Sequence, residues 1–141
     1  MASATLTAEA AIEARLKDNW STTPISWPGV DFTPPDGPWI EMHVLWGEGV
    51  GETMGSGGVN TISGVLVIRL FDRPGSGYGV IAGYVDTLRD LFDRAVVGAV
   101  EFLAASGPKK TIVRDTRFIM KEDKRWIGLY FQIPFTLEEN S

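Results

Sequence analysis

The chain has 141 residues, of which 44% are hydrophobic and 22% charged, and its formal net charge is −5. That balance suits one globular domain able to bury a core, and it excludes a disordered chain. Cysteine is absent and His43 is the only histidine, which excludes disulfides, iron–sulfur clusters, a cysteine nucleophile and multi-histidine metal sites within one chain.

An acidic chain is poorly equipped to grip nucleic-acid phosphates. Its basic clusters are Lys109-Lys110 and Lys121/Lys124/Arg125, and the second is interleaved with Glu122 and Asp123 as in a solvated turn. The opening MASATLTAEAAIEARL lacks the basic start and apolar run of a signal peptide. No stretch approaches the ~20 apolar residues that cross a bilayer. The expectation is a soluble protein, cytosolic or assembled there.

Thr7 is placed to cap a first helix with Glu9 in its first turn. Ala8, Ile12, Leu16 and Trp20 recur every four residues as one apolar stripe, and the helix should end before Pro24. Pro24 to Pro38 holds five prolines and reads as an extended connection, with a short edge strand at Ile25 to Trp27. From Trp39 to Trp46 the chain alternates. Ile40, Met42, Val44 and Trp46 share one face; Trp39, Glu41, His43 and Leu45 share the other.

Gly47 to Gly58, read GEGVGETMGSGG, is half glycine and separates two strand-like runs. Glycine supplies no side chain to a core and loses the most backbone entropy on ordering. The segment is expected to be a mobile arm that orders against a partner, with Glu48, Val50, Glu52, Thr53 and Met54 as its contact residues.

Thr61 to Phe71 should form a central strand covered on both sides for part of its length, paired antiparallel with Trp39 to Trp46. Asp72-Arg73-Pro74-Gly75 is a turn signal. A second helix is expected over about Tyr78 to Arg94, with Ile81, Val85, Leu88, Phe92 and Ala95 at helical spacing and Tyr84 and Leu91 beside them. A fourth strand follows around Ala99 to Leu103, and Ser106-Gly107-Pro108 should turn the chain. Thr111 to Met120 and Trp126 to Leu137 then close a hairpin around Lys121 to Arg125. In the last strand Ile127, Leu129, Phe131, Ile133, Phe135 and Leu137 face one way, and Pro134 calls for an edge or bulge on its N–H side. The order αββαβββ, with room for one extra short strand, gives an α+β fold: one twisted mixed or antiparallel sheet with two helices on one face.

Four patterns could carry chemistry. Gly77-x-Gly79-x-x-Ala82 matches a dinucleotide fingerprint, but a turn separates it from its strand, and an ordinary helix entry explains it. Asp86, Asp90 and Asp93 make a carboxylate stripe interrupted by Arg89 and Arg94, with an expected Asp90–Arg94 pair; this is a solvated face. Glu48 and Glu52 sit on an arm too mobile for acid–base work. His43 has no evident nucleophile partner and reads as structural or surface. The five tryptophans suit core packing, and such a surplus also suits subunit contacts. No catalytic residue, cofactor or metal is expected.

The chain resembles the tail-terminator (tail-completion) proteins of long-tailed bacteriophages over nearly its whole length. The likeness lies in the IEARL helix followed by TPISWPG, a tryptophan-bearing strand, a glycine-rich arm, and GVLVIRLF before a glycine-led helix ending LRDLFDR. It closes with VEFLAAS and RWIGLYFQIPFTLEE. The resemblance implies a virion protein at the head-proximal end of the tail. It implies a ring, typically a hexamer, that caps the tail-tube protein, meets the head-side connector, and lets DNA pass through its lumen without specific binding. It carries no catalytic residue. The alternatives are another head–tail joining or minor tail protein and, from a different class, a small nucleotide-binding enzyme using Gly77 to Ala82.

Overall fold

The structure is a computed structural model describing residues 4–51, 59–75, 77–112 and 126–140. Helix α1 spans Ala4–Asn19 and buries Ala8, Ile12 and Leu16, the every-fourth stripe, against the sheet. It begins a turn earlier than the sequence suggests. Glu9 is therefore not in the first turn, and its carboxylate instead accepts a hydrogen bond from Trp46 Nε1 at 2.5 Å. Asn19 Nδ2 donates to the Arg15 carbonyl at 2.8 Å, folding the side chain back along the last turn. Trp20 extends the stripe past that end, buried, with its Nε1 donating to Thr23 Oγ1 at 3.0 Å.

The proline-rich connection contributes a two-residue edge strand, β1 (Ile25–Ser26), parallel to Ile40 and Glu41 of β2 (Trp39–Gly51). Strand β2 pairs antiparallel with β3 (Val59–Asp72), and one extra residue bulges out of β2 between Trp46 and Gly49. This corrects the expected arm. Gly47 to Gly51 is strand, because beyond the bulge Gly49, Val50 and Gly51 pair with Ile62, Thr61 and Asn60. The rest of the arm, with Glu52, Thr53 and Met54, lies outside the described residues, as does the Lys121 to Arg125 turn.

Helix α2 (Gly79–Phe92) follows the turn at Pro74 and Gly75, burying Ile81, Val85, Leu88 and Phe92. It stops two residues short of Arg94, which takes a left-handed φ of 56° and donates its N–H to the Leu103 carbonyl. The expected Asp90–Arg94 pair is thus replaced by a helix end; it is not among the ion pairs of the described residues. Asp93 is not merely solvated either, since its Oδ1 accepts the Ala105 N–H at 2.7 Å. Asp93→Ala should leave that half-buried amide without its acceptor and cost about 1–2 kcal/mol in urea unfolding.

After α2, β4 (Val96–Val97) and β5 (Val100–Phe102) form a tight hairpin in which Gly98 supplies a φ of 60°. The Ser106-Gly107-Pro108 signal does not turn the chain. It bulges a strand, β6 (Ser106–Ile112), that pairs with β7 (Ile127–Asn140). Strands β5 and β6 therefore run along the same side of β7, opposite residues 135–137 and 127–132. Pro134 sits at the break between them, with its carbonyl accepting the Leu103 N–H at 2.8 Å. An antiparallel residue points its N–H and carbonyl to the same side, so the N–H that Pro134 lacks would have faced this interruption.

The sheet order is β1-β2-β3-β7-β5-β4, with β6 also on β7; β1–β2 is the parallel pair and the other pairings are antiparallel. Strands β3 and β7 pair without a break from Val59↔Asn140 to Asp72↔Ile127, so β3 is central, as its two-sided apolar pattern requires. Both helices pack on one face, where Ile12, Leu16, Val85 and Leu88 meet Met42, Ile68, Phe131 and Ile133 in one core. The helices also touch each other: Arg15 Nε donates to the Leu91 carbonyl at 2.8 Å, and the Trp20 and Tyr84 rings meet edge-on. The fold is α+β, with helices on a mixed sheet that does not close.

Candidate interaction surface on the open face of the sheet

Because strand side chains alternate, the residues between core positions form a second face, which among the described residues has no helical layer. Registers arrange them in rows across the strands: Trp39, Phe71 and Gly128; then Glu41, Arg69, Tyr130 and Lys109; then His43, Val67 and Gln132; then Leu45, Val65 and Pro134.

The first row is covered. Trp39, Phe71 and Trp126 are buried together under Phe32, which descends from the proline-rich connection. Ring centroids lie 4.3 Å apart for Trp39–Phe71 and 5.0 Å for Phe32–Trp39. The Arg73 guanidinium stacks 3.9 Å above the Trp126 ring and reaches Asp36 at 3.4 Å. Most of the tryptophan surplus is explained here and in the main core, to which Trp20 and Trp46 belong.

The middle rows hold the ionisable groups. Glu41 is buried, with its Oε1 2.6 Å from His43 Nε2 and 3.7 Å from Arg69 Nη1. A buried carboxylate needs such partners. With Tyr130 and Gln132 these residues line a hollow of about 540 Å³. Its lining contains no serine, threonine or cysteine, and among the described residues no hydroxyl bonds to the imidazole. Ser26 lines an adjoining hollow of about 290 Å³ with Glu41 and His43, but the imidazole is bonded to Glu41, so a hydroxyl–imidazole–carboxylate relay is not assembled among the described residues.

The last row is apolar and open. Leu45 is 57% exposed and Leu103, beside Pro134, is 46% exposed; they share a hollow of about 360 Å³ with Val65. Two large exposed side chains together are a patch rather than scattered surface leucines.

The described residues among those singled out from sequence are not brought together. Glu48 and Val50 belong to β2 beyond or at its bulge, while Glu52, Thr53 and Met54 lie outside the described residues. Asp86 and Asp90 are exposed on α2 and Asp93 is hydrogen-bonded, so the stripe is not a joint ligand set. Among the described residues no group of three or more His, Asp or Glu could hold a metal. Gly77-x-Gly79-x-x-Ala82 does open α2, with Gly77 at φ 73° and Tyr78 as the cap residue. However, β7 lies between β3 and β5, so the adjacent parallel strands that frame a dinucleotide crevice are missing.

Sequence reasoning missed Arg69, Tyr130, Gln132 and Leu103 as parts of one face. Alternation placed Tyr130 and Gln132 away from the core, but only the strand register sets them beside His43 and Glu41.

Among the described residues the helices cover one sheet face, and the other is covered only at its Trp39 row. The family model for the phage tail terminator protein matches residues 7–101, from α1 into β5. The chain belongs to this family and is a structural protein of the phage tail, a component of the virion that works alongside other tail and head components. A solved structure 14% identical superposes with a TM-score of 0.62, covering 92% of this chain and 94% of that one, which supports the fold. No curated protein sequence matches the chain. Among the described residues no helix is long and apolar enough to cross a membrane.

Proposed function

We propose that the protein caps the finished tail tube at its head-proximal end, stops tube polymerisation and presents the surface on which the head-side connector docks. The family match carries this reading. In the proposal the chain forms a closed homo-oligomeric ring, six subunits by family analogy, with no enzymatic activity and no cofactor. A closed ring suits the task, since it offers one face to a repeating tube end without exposing a new site for addition. The net charge of −5 suits a lumen through which DNA slides without being trapped. The free edge of β2 beyond β1, which pairs only with Ile40 and Glu41, adds backbone groups for contacts with neighbours.

Glu48 and Val50 of β2 and the arm residues Glu52, Thr53 and Met54 are proposed to contact the tube subunit. Two measurements test these ideas. Purified protein added to polymerising tube subunits should shorten the tubes in a dose-dependent way, as measured on negatively stained particles. Replacing Glu52, Thr53 and Met54 with serine should weaken capping about tenfold or more while leaving the melting temperature within a few degrees of wild type. Tubes of unchanged length at excess protein would reject capping, and undiminished capping by the arm variant would reject the arm's role.

A further inference from the structure

The open sheet face carries charges of both signs, with its cations gathered in one row. Arg69 and Lys109 are exposed in the Glu41 row and His43 is half exposed, against the Glu41 carboxylate, which is already engaged by His43 and Arg69, whereas Glu101 and Glu138 are exposed at the far end of the face, beyond the Leu45 row. Lys109 belongs to this face because it lies directly opposite Tyr130. Next to these cations is the bare Leu45–Leu103 patch. On the other side of the molecule, Asp86 and Asp90 are exposed on the outer side of α2 without an ion-pair partner among the described residues. Val80, 45% exposed, lies on the N-terminal part of the same helix. Arg89 between them is half-buried, with its Nε withdrawn from solvent.

The two surfaces match in spacing as well as in charge. From Val80 to midway between Asp86 and Asp90 is eight residues of helix, about 12 Å at ~1.5 Å per residue. From the Leu45 row to the Arg69 row is four residues of strand, about 13 Å at ~3.3 Å per residue. We infer that the open face seats α2 of a second copy of the chain, with Val80 on the Leu45–Leu103 patch and Asp86 and Asp90 on Arg69 and Lys109. Two different faces of one chain then meet, so the contact is heterologous and repeats from copy to copy. The inference rests on the homo-oligomer reading above and assigns it a pair of faces. It also covers the apolar leucines that an isolated subunit leaves in water.

The test uses two charge variants of the full chain. Arg69→Gln/Lys109→Glu makes the sheet face acidic, and Asp86→Lys/Asp90→Lys makes the helix face basic. Each alone opposes like charges across the contact, so each should self-associate about tenfold or more weakly than wild type in mass photometry and light scattering. Mixed in equal amounts, every contact becomes an acid–base pair, and the two should co-assemble into rings with an even number of subunits. Leu45→Asp, at an exposed position that folding tolerates, should also weaken assembly. Circular dichroism and melting curves separate lost assembly from lost folding. A wild type that stays monomeric at high concentration would overturn the inference, as would variants that assemble alone or fail to assemble on mixing. Binding of duplex DNA by the open face, with unchanged mass in the Asp86/Asp90 variant, would overturn it as well. These readouts use purified protein, so they fail or succeed independently of whether the ring caps a tail.

Discussion

A phage lacking this gene should produce lysates with tails of uncontrolled length and heads that carry no tail. A tail tube is a stack in which each added ring presents the same end as the one before it. Addition therefore has no internal reason to stop while subunits remain, and termination requires a component that binds the end without recreating it. A ring that matches the tube end on one face and offers a different surface on the other does this. Under the proposed capping role the expected effect is large, because it is all-or-none for each tail and touches both length control and the joining surface. Electron microscopy of the lysate would show a broad length distribution in place of a single peak, and complementation from a plasmid should restore the peak. Normal-length tails attached to heads would reject termination and leave a general structural role in the tail.

Phe135→Ala should be among the most damaging single substitutions to folding, at about 3–5 kcal/mol out of the roughly 5–15 kcal/mol that hold a domain together. Phe135 is fully buried in β7, with ring contacts to Phe102 and, edge-on at 5.1 Å, to Trp46. Its ring lies across Gly64, its direct neighbour on β3, and Gly64 in turn stands opposite Trp46. A methyl group at Gly64 would come 2.8 Å from Phe135 Cε1, too close for carbon, so Gly64→Ala should itself cost about 1–3 kcal/mol through overpacking. The two positions must couple. Once the ring is gone, the added methyl occupies vacated space, and the double variant should lose less than the sum of the two singles. Urea unfolding of the four proteins closes the cycle. Strict additivity would mean that the ring does not depend on the glycine beneath it.

This triple of Trp46, Gly64 and Phe135 also marks the limit of what a sequence reveals. By itself the sequence determined the elements whose side chains repeat with a single period: the stripe of α1, the buried face of α2, and the alternation of β2, β3 and β7. Those patterns are local, and burial on one face decides them regardless of neighbours. It also sufficed, through the order of these elements and the terminal aromatic strand, to point to the tail-terminator family, which the match over residues 7–101 bears out. Tertiary structure alone decided what depends on register. It carried β2 through a bulge into glycines that read as loop, and it drew Ser106 to Pro108 into a strand because β7 offered an unpaired side. It joined β3 to β7, next to each other in space but more than fifty residues apart in the chain, and so set Arg69 beside Glu41 and Tyr130 on a face no periodicity could assemble. Hydrogen bonds between strands cost nothing to imagine at any register; only the packing of both faces together selects one.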